Sequence, residues 1–183
     1  MQAAATAYNG RVQLEERDSA GWALKALREA GGTLISEFAG LDEAALRHRP
    51  AEDELSLKEI AAHLRDAEEL ALSQLTAASE EPDKRLPVWD VDVLPLERDY
   101  RNVDLQGVLS EVRNLRHQTT ALLWMLRDWD WRREVTHPYR GEITIEMIAR
   151  ELAQHDLEHL WQVRRLKHTL AEAANDCDDN GLR

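Results

Sequence analysis

Residues 144–170 read TIEMIARELAQHDLEHLWQVRRLKHTL. Ile148, Leu152, His155, His159, Val163, Leu166 and Leu170 recur at alternating spacings of three and four, the period of one face of an α-helix. Thr144 can cap its start. His155 and His159 occupy slots where that pattern expects Leu or Ile. Four residues turn a helix by about 400°, so the two imidazoles lie about 40° apart and about 6 Å along the axis. Both can reach one ion. Two imidazoles facing a core are costly unless something satisfies their nitrogens, and a metal does that.

The same period runs through three earlier segments. In the first, from about Ser19 to Leu41, Ala20, Ala23, Leu27, Ala30, Leu34, Phe38 and Leu41 share a face. Ser19 can cap it, and Gly31-Gly32 inside it should weaken or bend it. The second starts at Ser56-Leu57-Lys58-Glu59, a capping box, and carries Ile60, Leu64, Ala67, Leu70 and Ala71 to about Ala78. The third follows a cap at Asp104, with Leu105, Val108, Val112, Leu115, Thr119, Leu122, Leu126 and Trp129 on one face. No repeat and no alternating strand pattern of useful length occurs. The expectation is an all-α four-helix bundle. Residues 79–103, with Pro82, Pro87 and Pro95, are long for a link between antiparallel neighbours. They allow the second and third helices to run parallel, or can cover one mouth of the bundle. Residues 1–170 are expected to form a single domain, and 171–183 a frayed acidic tail.

His63 lies on or beside the apolar stripe of the second helix, between Ile60 and Ala67. Together with His155 and His159 it offers three neutral nitrogens and leaves a coordination position open, the catalytic pattern for zinc; imidazole also suits nickel, copper or iron. Hydrogen-bonded core histidines are the alternative. His48, His117, His137 and His168 read as surface residues. Glu158 is a candidate general base, and Asp156 and Gln162 are candidates to orient a ligand. Each can equally be a solvated helix residue. His155-Asp156-Leu157-Glu158-His159 also fits the inverted zinc-protease pattern, but the downstream carboxylate ligand of that class has little chain left to come from. A di-iron bundle is set aside because that class needs Glu-x-x-His on two helices, the pattern occurs once, at Glu134–His137 outside the four helical segments, and the stripes lack Glu. Asp176-Cys177-Asp178-Asp179-Asn180-Gly181 starts like a calcium loop but the sequence ends before its final Glu.

Composition narrows the classes. The 183 residues carry 23 Lys plus Arg against 35 Asp plus Glu, a formal net charge of −12. Such an acidic chain repels phosphate backbones, so neither nucleic acid nor an anionic membrane is an expected partner. No run reaches the ~18 apolar residues of a membrane helix, and Met1–Asn9 has neither a basic region nor an apolar run. With a lone Cys177, these point to a cytoplasmic setting. Six tryptophans, at 22, 89, 124, 129, 131 and 161, read as packing residues or as an aromatic wall beside a ligand.

Three segments together resemble the DinB/YfiT-like superfamily. Glu59-Ile60-Ala61-Ala62-His63-Leu64-Arg65-Asp66-Ala67-Glu68 is similar to its second helix. Arg133-Glu134-Val135-Thr136-His137-Pro138 and Gly141-Glu142-Ile143-Thr144-Ile145 resemble its lead into the last helix. His155-Asp156-Leu157-Glu158-His159-Leu160-Trp161-Gln162-Val163 resembles its H-D-x-x-H-x-x-Q-(I/V) signature. The resemblance implies an up-down-down-up bundle, a nickel or zinc ion on His63, His155 and His159, and a homodimer. Relatives include a mycothiol-dependent maleylpyruvate isomerase, bacillithiol S-transferases and metal-dependent hydrolases. The expected function is therefore metal-dependent chemistry on a small molecule, first a low-molecular-weight thiol transfer. Hydrolysis by a metal-bound water, and a non-catalytic metal-stabilised dimerisation or stress-response module, are the alternatives.

Overall fold

The computed structural model describes the backbone of residues 2–80, 85–90 and 93–180, and side chains only within 20–173. The calcium-like segment and Cys177 lie outside the described side chains.

Four long helices dominate: α1 (Gln2–Glu37), α3 (Leu57–Glu80), α5 (Leu105–Met125) and α6 (Ile145–Asn180). Short helices α2 (Glu43–Arg47) and α4 (Leu94–Glu97) and a 3₁₀ turn, Tyr100–Asn102, lie in the connections. Three of the four expected caps are made. Asp104 accepts from the backbone N–H groups of Gln106 and Gly107 at the start of α5. In the capping box, Glu59 accepts from the Ser56 N–H (2.9 Å) and the Ser56 hydroxyl accepts from the Glu59 N–H (3.3 Å). Thr144 accepts from the Met147 N–H at the start of α6.

Two helices outrun their expected bounds. α1 starts at Gln2, so Ser19 sits inside it. The added turns are rich in good helix formers but carry no apolar stripe, which is the signal periodicity reads. α6 continues past Leu170 to Asn180. A small β-hairpin is also present: β1 (Glu134–His137) pairs antiparallel with β2 (Gly141–Thr144). Four-residue strands are too short for alternation to stand out. Val135 and Ile143 are paired and buried in the core, and Gly141 turns the hairpin at φ +75°.

The helix directions follow from which residues share a core. One cluster joins Ala23 and Leu27 of α1, Ala71 and Leu75 of α3, Leu123 of α5, and Ile148 and Leu152 of α6. The other joins Leu34 and Phe38, Ile60 and Leu64, Leu105 and Val108, and Val163 and Leu166. Residue numbers therefore rise in one direction along α1 and α6, and in the opposite direction along α3 and α5. The order is up-down-down-up. α3 and α5 run parallel, and the long connection carries the chain back between them.

A polar layer separates the two apolar halves. It holds His63, Asp66 and Glu68 of α3, Arg116 and Thr119 of α5, and His155, Asp156 and His159 of α6. Asp66, Glu68, Thr119 and Asp156 are all at most 2% exposed.

Candidate metal centre and its cavity

The bundle brings the three expected ligands together. His63 Nε2 lies 2.9 Å from His155 Nε2, which lies 3.1 Å from His159 Nε2. All three rings are half-buried, and their candidate ligand atoms fall within 4.8 Å of one another. The antiparallel packing of α3 on α6 makes this possible, because it sets one turn of α3 opposite two turns of α6.

Proton counting shows that the cluster wants a cation. His159 Nδ1 donates to Gln162 Oε1 (2.8 Å), so its Nε2 carries a lone pair. A proton on His155 Nε2 can satisfy that lone pair, but then nothing is left to accept from, or donate to, His63 at that atom. Neutral imidazoles cannot satisfy both short contacts at once. Burial pushes His63 down to about 4 and His155 to about 3, with neighbouring imidazoles adding to each shift, so neither takes up a second proton near neutrality. Burial also lowers His159, offset in part by its bond to Gln162. His155 Nδ1 is buried without a hydrogen-bond partner among the described residues. Three neutral nitrogens converging on one point fit a divalent ion.

The cluster opens onto a cavity of about 490 Å³ between α3 and α6. Ala67, Leu70, Ala71, Ile148 and Leu152 form its walls, and Trp89 and Leu94 of the connection cover one side. The connection is tied down at several points. Gln74 donates to the Pro87 carbonyl (2.8 Å), the Leu86 N–H donates to Thr136 of β1, and the Arg98 guanidinium lies 4.9 Å from the Trp89 ring. Asp66 lines the cavity but is fully engaged: it accepts from Tyr100 Oη (2.6 Å), Arg98 (2.8 Å) and Arg65 (2.7 Å). Burial, then the hydrogen bond to Asp66, holds the Tyr100 phenol well above its ordinary range.

The other expected residues fall on different sides of α6. Gln162 holds His159, as described above. Asp156 faces α1 and α5, where it pairs with Arg116 (2.7 Å). Burial raises its carboxyl, and the guanidinium opposes that shift. Glu158 is exposed and accepts from Gln154 on the outer surface; it does not line the cavity.

Sequence reasoning missed the buried cluster behind the site. Glu68 accepts from Arg116 Nε (2.9 Å) and Nη2 (2.5 Å) and from the Thr119 hydroxyl (2.6 Å), while Arg116 Nη1 also donates to the Leu27 carbonyl of α1 (2.6 Å). Burial opposes the charge on Arg116, but Asp156 and Glu68 outweigh it and hold the guanidinium protonated. The stripe of α3 thus does contain a Glu. The available signal was spacing: Glu68 continues Ile60 and Leu64 at steps of four. Of the tryptophans, Trp131 is buried, Trp89 borders the cavity, and Trp22, Trp124, Trp129 and Trp161 are exposed.

A four-helix bundle of this order, with three imidazoles at the wall of a cavity, defines a class, and comparisons with known proteins place the chain in it. The DinB superfamily model matches residues 26–163, so the chain belongs to the DinB superfamily. It is 25% identical over 154 residues to the uncharacterized protein YuaE of Bacillus subtilis strain 168, covering 75% of this chain and 93% of that one. In fold it is similar to YfiT from Bacillus subtilis, described as a probable metal-dependent hydrolase with an unusual four-helix bundle topology. The TM-score is 0.77 at 19% identity, over 83% of this chain and 87% of that one. No helix among the described residues is long and apolar enough to cross a membrane.

Proposed function

We propose that the protein is a metal-dependent enzyme that transfers a low-molecular-weight thiol to a small electrophile, with nickel or zinc on His63, His155 and His159. The observation that carries this reading is the convergence of three unprotonated nitrogens on an open apolar cavity. A bound divalent ion supplies a Lewis acid that lowers the pKa of a coordinating thiol or water. The side chains do the rest. Gln162 keeps the His159 proton on Nδ1 and its lone pair toward the cluster. The apolar walls exclude bulk water from the reacting groups. Among the described residues, both carboxylates that line the cavity are committed: Asp66 to Tyr100, Arg98 and Arg65, and Glu151 to a two-pronged pair with Arg140. A thiol, whose ordinary pKa of about 8.5 needs only a modest fall, requires less help from a protein base than water does. That favours thiol chemistry. Hydrolysis is the second reading, favoured by the description of YfiT.

We also read the protein as a cytoplasmic homodimer, a reading supported by the exposed Trp22, Trp124, Met125 and Trp129; sedimentation velocity tests it. The function is tested by elemental mass spectrometry of tag-free protein, wild type against His63→Ala and His155→Ala, with mycothiol, bacillithiol and glutathione titrated into the metal-loaded form. Near-stoichiometric metal, lost in both variants, and a metal spectrum that responds to a thiol are expected. Metal without any thiol response shifts the reading to hydrolysis or a non-catalytic module, and no metal uptake refutes the site.

A further inference from the structure

The cavity specifies more than the presence of a ligand. Its wall is built from Ala67, Leu70, Leu94, Ile148, Leu152 and the Trp89 ring. Among the described residues no Lys or Arg lines it. The Arg98 guanidinium, which lies against Trp89, is held by Asp66 and Glu69, each at 2.8 Å. Gln74 commits its amide N–H to the Pro87 carbonyl. The two carboxylates on the wall among the described residues, Asp66 and Glu151, are each held by guanidinium groups.

We infer that the part of the substrate that fills this cavity is an uncharged apolar group, and that carboxylate-bearing groups are excluded from it. Beyond the three imidazoles, where a bound ion would sit, the described wall offers an anion no partner, and transferring an ion from water into an apolar site without one costs several kcal/mol. An aromatic or branched alkyl body meets mainly carbon there, including the Trp89 ring, and gains by leaving water. The volume of about 490 Å³ falls inside the usual range of small-ligand pockets, about 300–1,000 Å³. An acidic thiol cosubstrate would have to keep its carboxylates outside the cavity, toward solvent. This inference deepens the proposed thiol chemistry and rests on that reading for the orientation of the ligand.

The test uses two probes that differ by one group: benzyl mercaptan and 4-(mercaptomethyl)benzoate. Each is titrated into the cobalt-loaded full chain, with the cobalt absorption bands and isothermal calorimetry as readouts. Calorimetry on the metal-free chain then tests the cavity alone. The uncharged thiol should bind at least about tenfold more tightly in both forms, the equivalent of about 1.4 kcal/mol. Leu70→Arg places a cation on the wall and should narrow or reverse that preference. If Leu70→Arg does not fold, the wild-type comparison decides alone. Equal or tighter binding of the benzoate, or no binding of the uncharged probe, overturns the inference. Cobalt bands that ignore both thiols while the metal-free cavity still prefers the uncharged probe refute the thiol reading and leave the apolar preference standing.

Discussion

Gly31 and Gly32 look interchangeable in the sequence, yet the structure makes them opposites. A Cβ on Gly31 would sit 2.7 Å from Arg116 Nη1 and 3.3 Å from its Cζ, whereas a Cβ on Gly32 would meet nothing within 4 Å. Ordinary contact begins near 3.4 Å, so in Gly31→Ala the guanidinium must retreat by about 0.7 Å. It has little room to do so. Nη1 donates to the Leu27 carbonyl and forms an ion pair with Asp156, and the rest of the fork donates to Glu68. A retreat of that size stretches the Leu27 bond from 2.6 Å to about 3.3 Å, sacrificing most of a charge-assisted hydrogen bond worth about 1.5–3 kcal/mol. Ala is a better helix former than Gly by about 1 kcal/mol, which offsets part of this loss. Gly31→Ala should therefore destabilise the fold by about 0.5–2 kcal/mol. At about 2–4 °C per kcal/mol for a chain of this size, Tm falls by about 1–8 °C. Gly32→Ala has only the propensity gain and should raise Tm slightly. Thermal and urea unfolding followed by circular dichroism on both variants measures this. A Gly31→Ala protein that melts at or above wild type would refute the claim that Arg116 is immovably packed against α1.

Acid should loosen the metal-free protein well before its carboxylates titrate. His63 and His155 sit near 4 and 3 against an ordinary value of 6.5, so the unfolded chain takes up protons that the folded chain refuses. Stability should fall as pH drops from about 6.5 toward 4, and His63→Leu should flatten that fall in urea titrations across the window. Gln162→Leu removes the partner that fixes the His159 tautomer; competition with a chromophoric chelator should show metal affinity reduced by about 10–100-fold with the fold intact. Ser56→Ala removes the hydroxyl that caps α3 and should cost about 0.5–2 kcal/mol in urea unfolding.

The helices were legible because each buries a stripe, and a stripe leaves a period. Ala23, Leu27, Ala30, Leu34 and Phe38 are all buried as the spacing required. The imidazole cluster was legible for the complementary reason, since a polar residue in an apolar slot must be answered by something. Elsewhere these signals were a poor guide. Trp129 extends the period of α5 past its end at Met125 and is exposed. Arg116, Glu68 and Asp156 answer one another across three helices, and a charge on its own helix looks like surface until its partner is placed. The cavity wall escaped because Trp89 and Leu94 belong to a connection with no period of its own. Glu158 was drawn toward the site by adjacency to His159, but one step along a helix turns a side chain by about 100°, enough to carry it to the outer surface.

The parallel pairing of α3 and α5 obliges the chain to retrace the whole length of α3, about 36 Å for its 24 residues, before α5 can begin. That return leg has to exist for topological reasons, and it runs beside the imidazoles whatever its sequence. Most of it is irregular and contributes comparatively little to the two apolar halves that hold the bundle together. Leu94 packs with Ala62 of α3, but change at the half-buried Trp89 can reshape the cavity without touching either apolar half or the three nitrogens. Architecture of this kind separates the imidazole cluster from much of the surface that faces it: a fixed set of nitrogens is paired with an exchangeable wall, carried on a connection the topology requires.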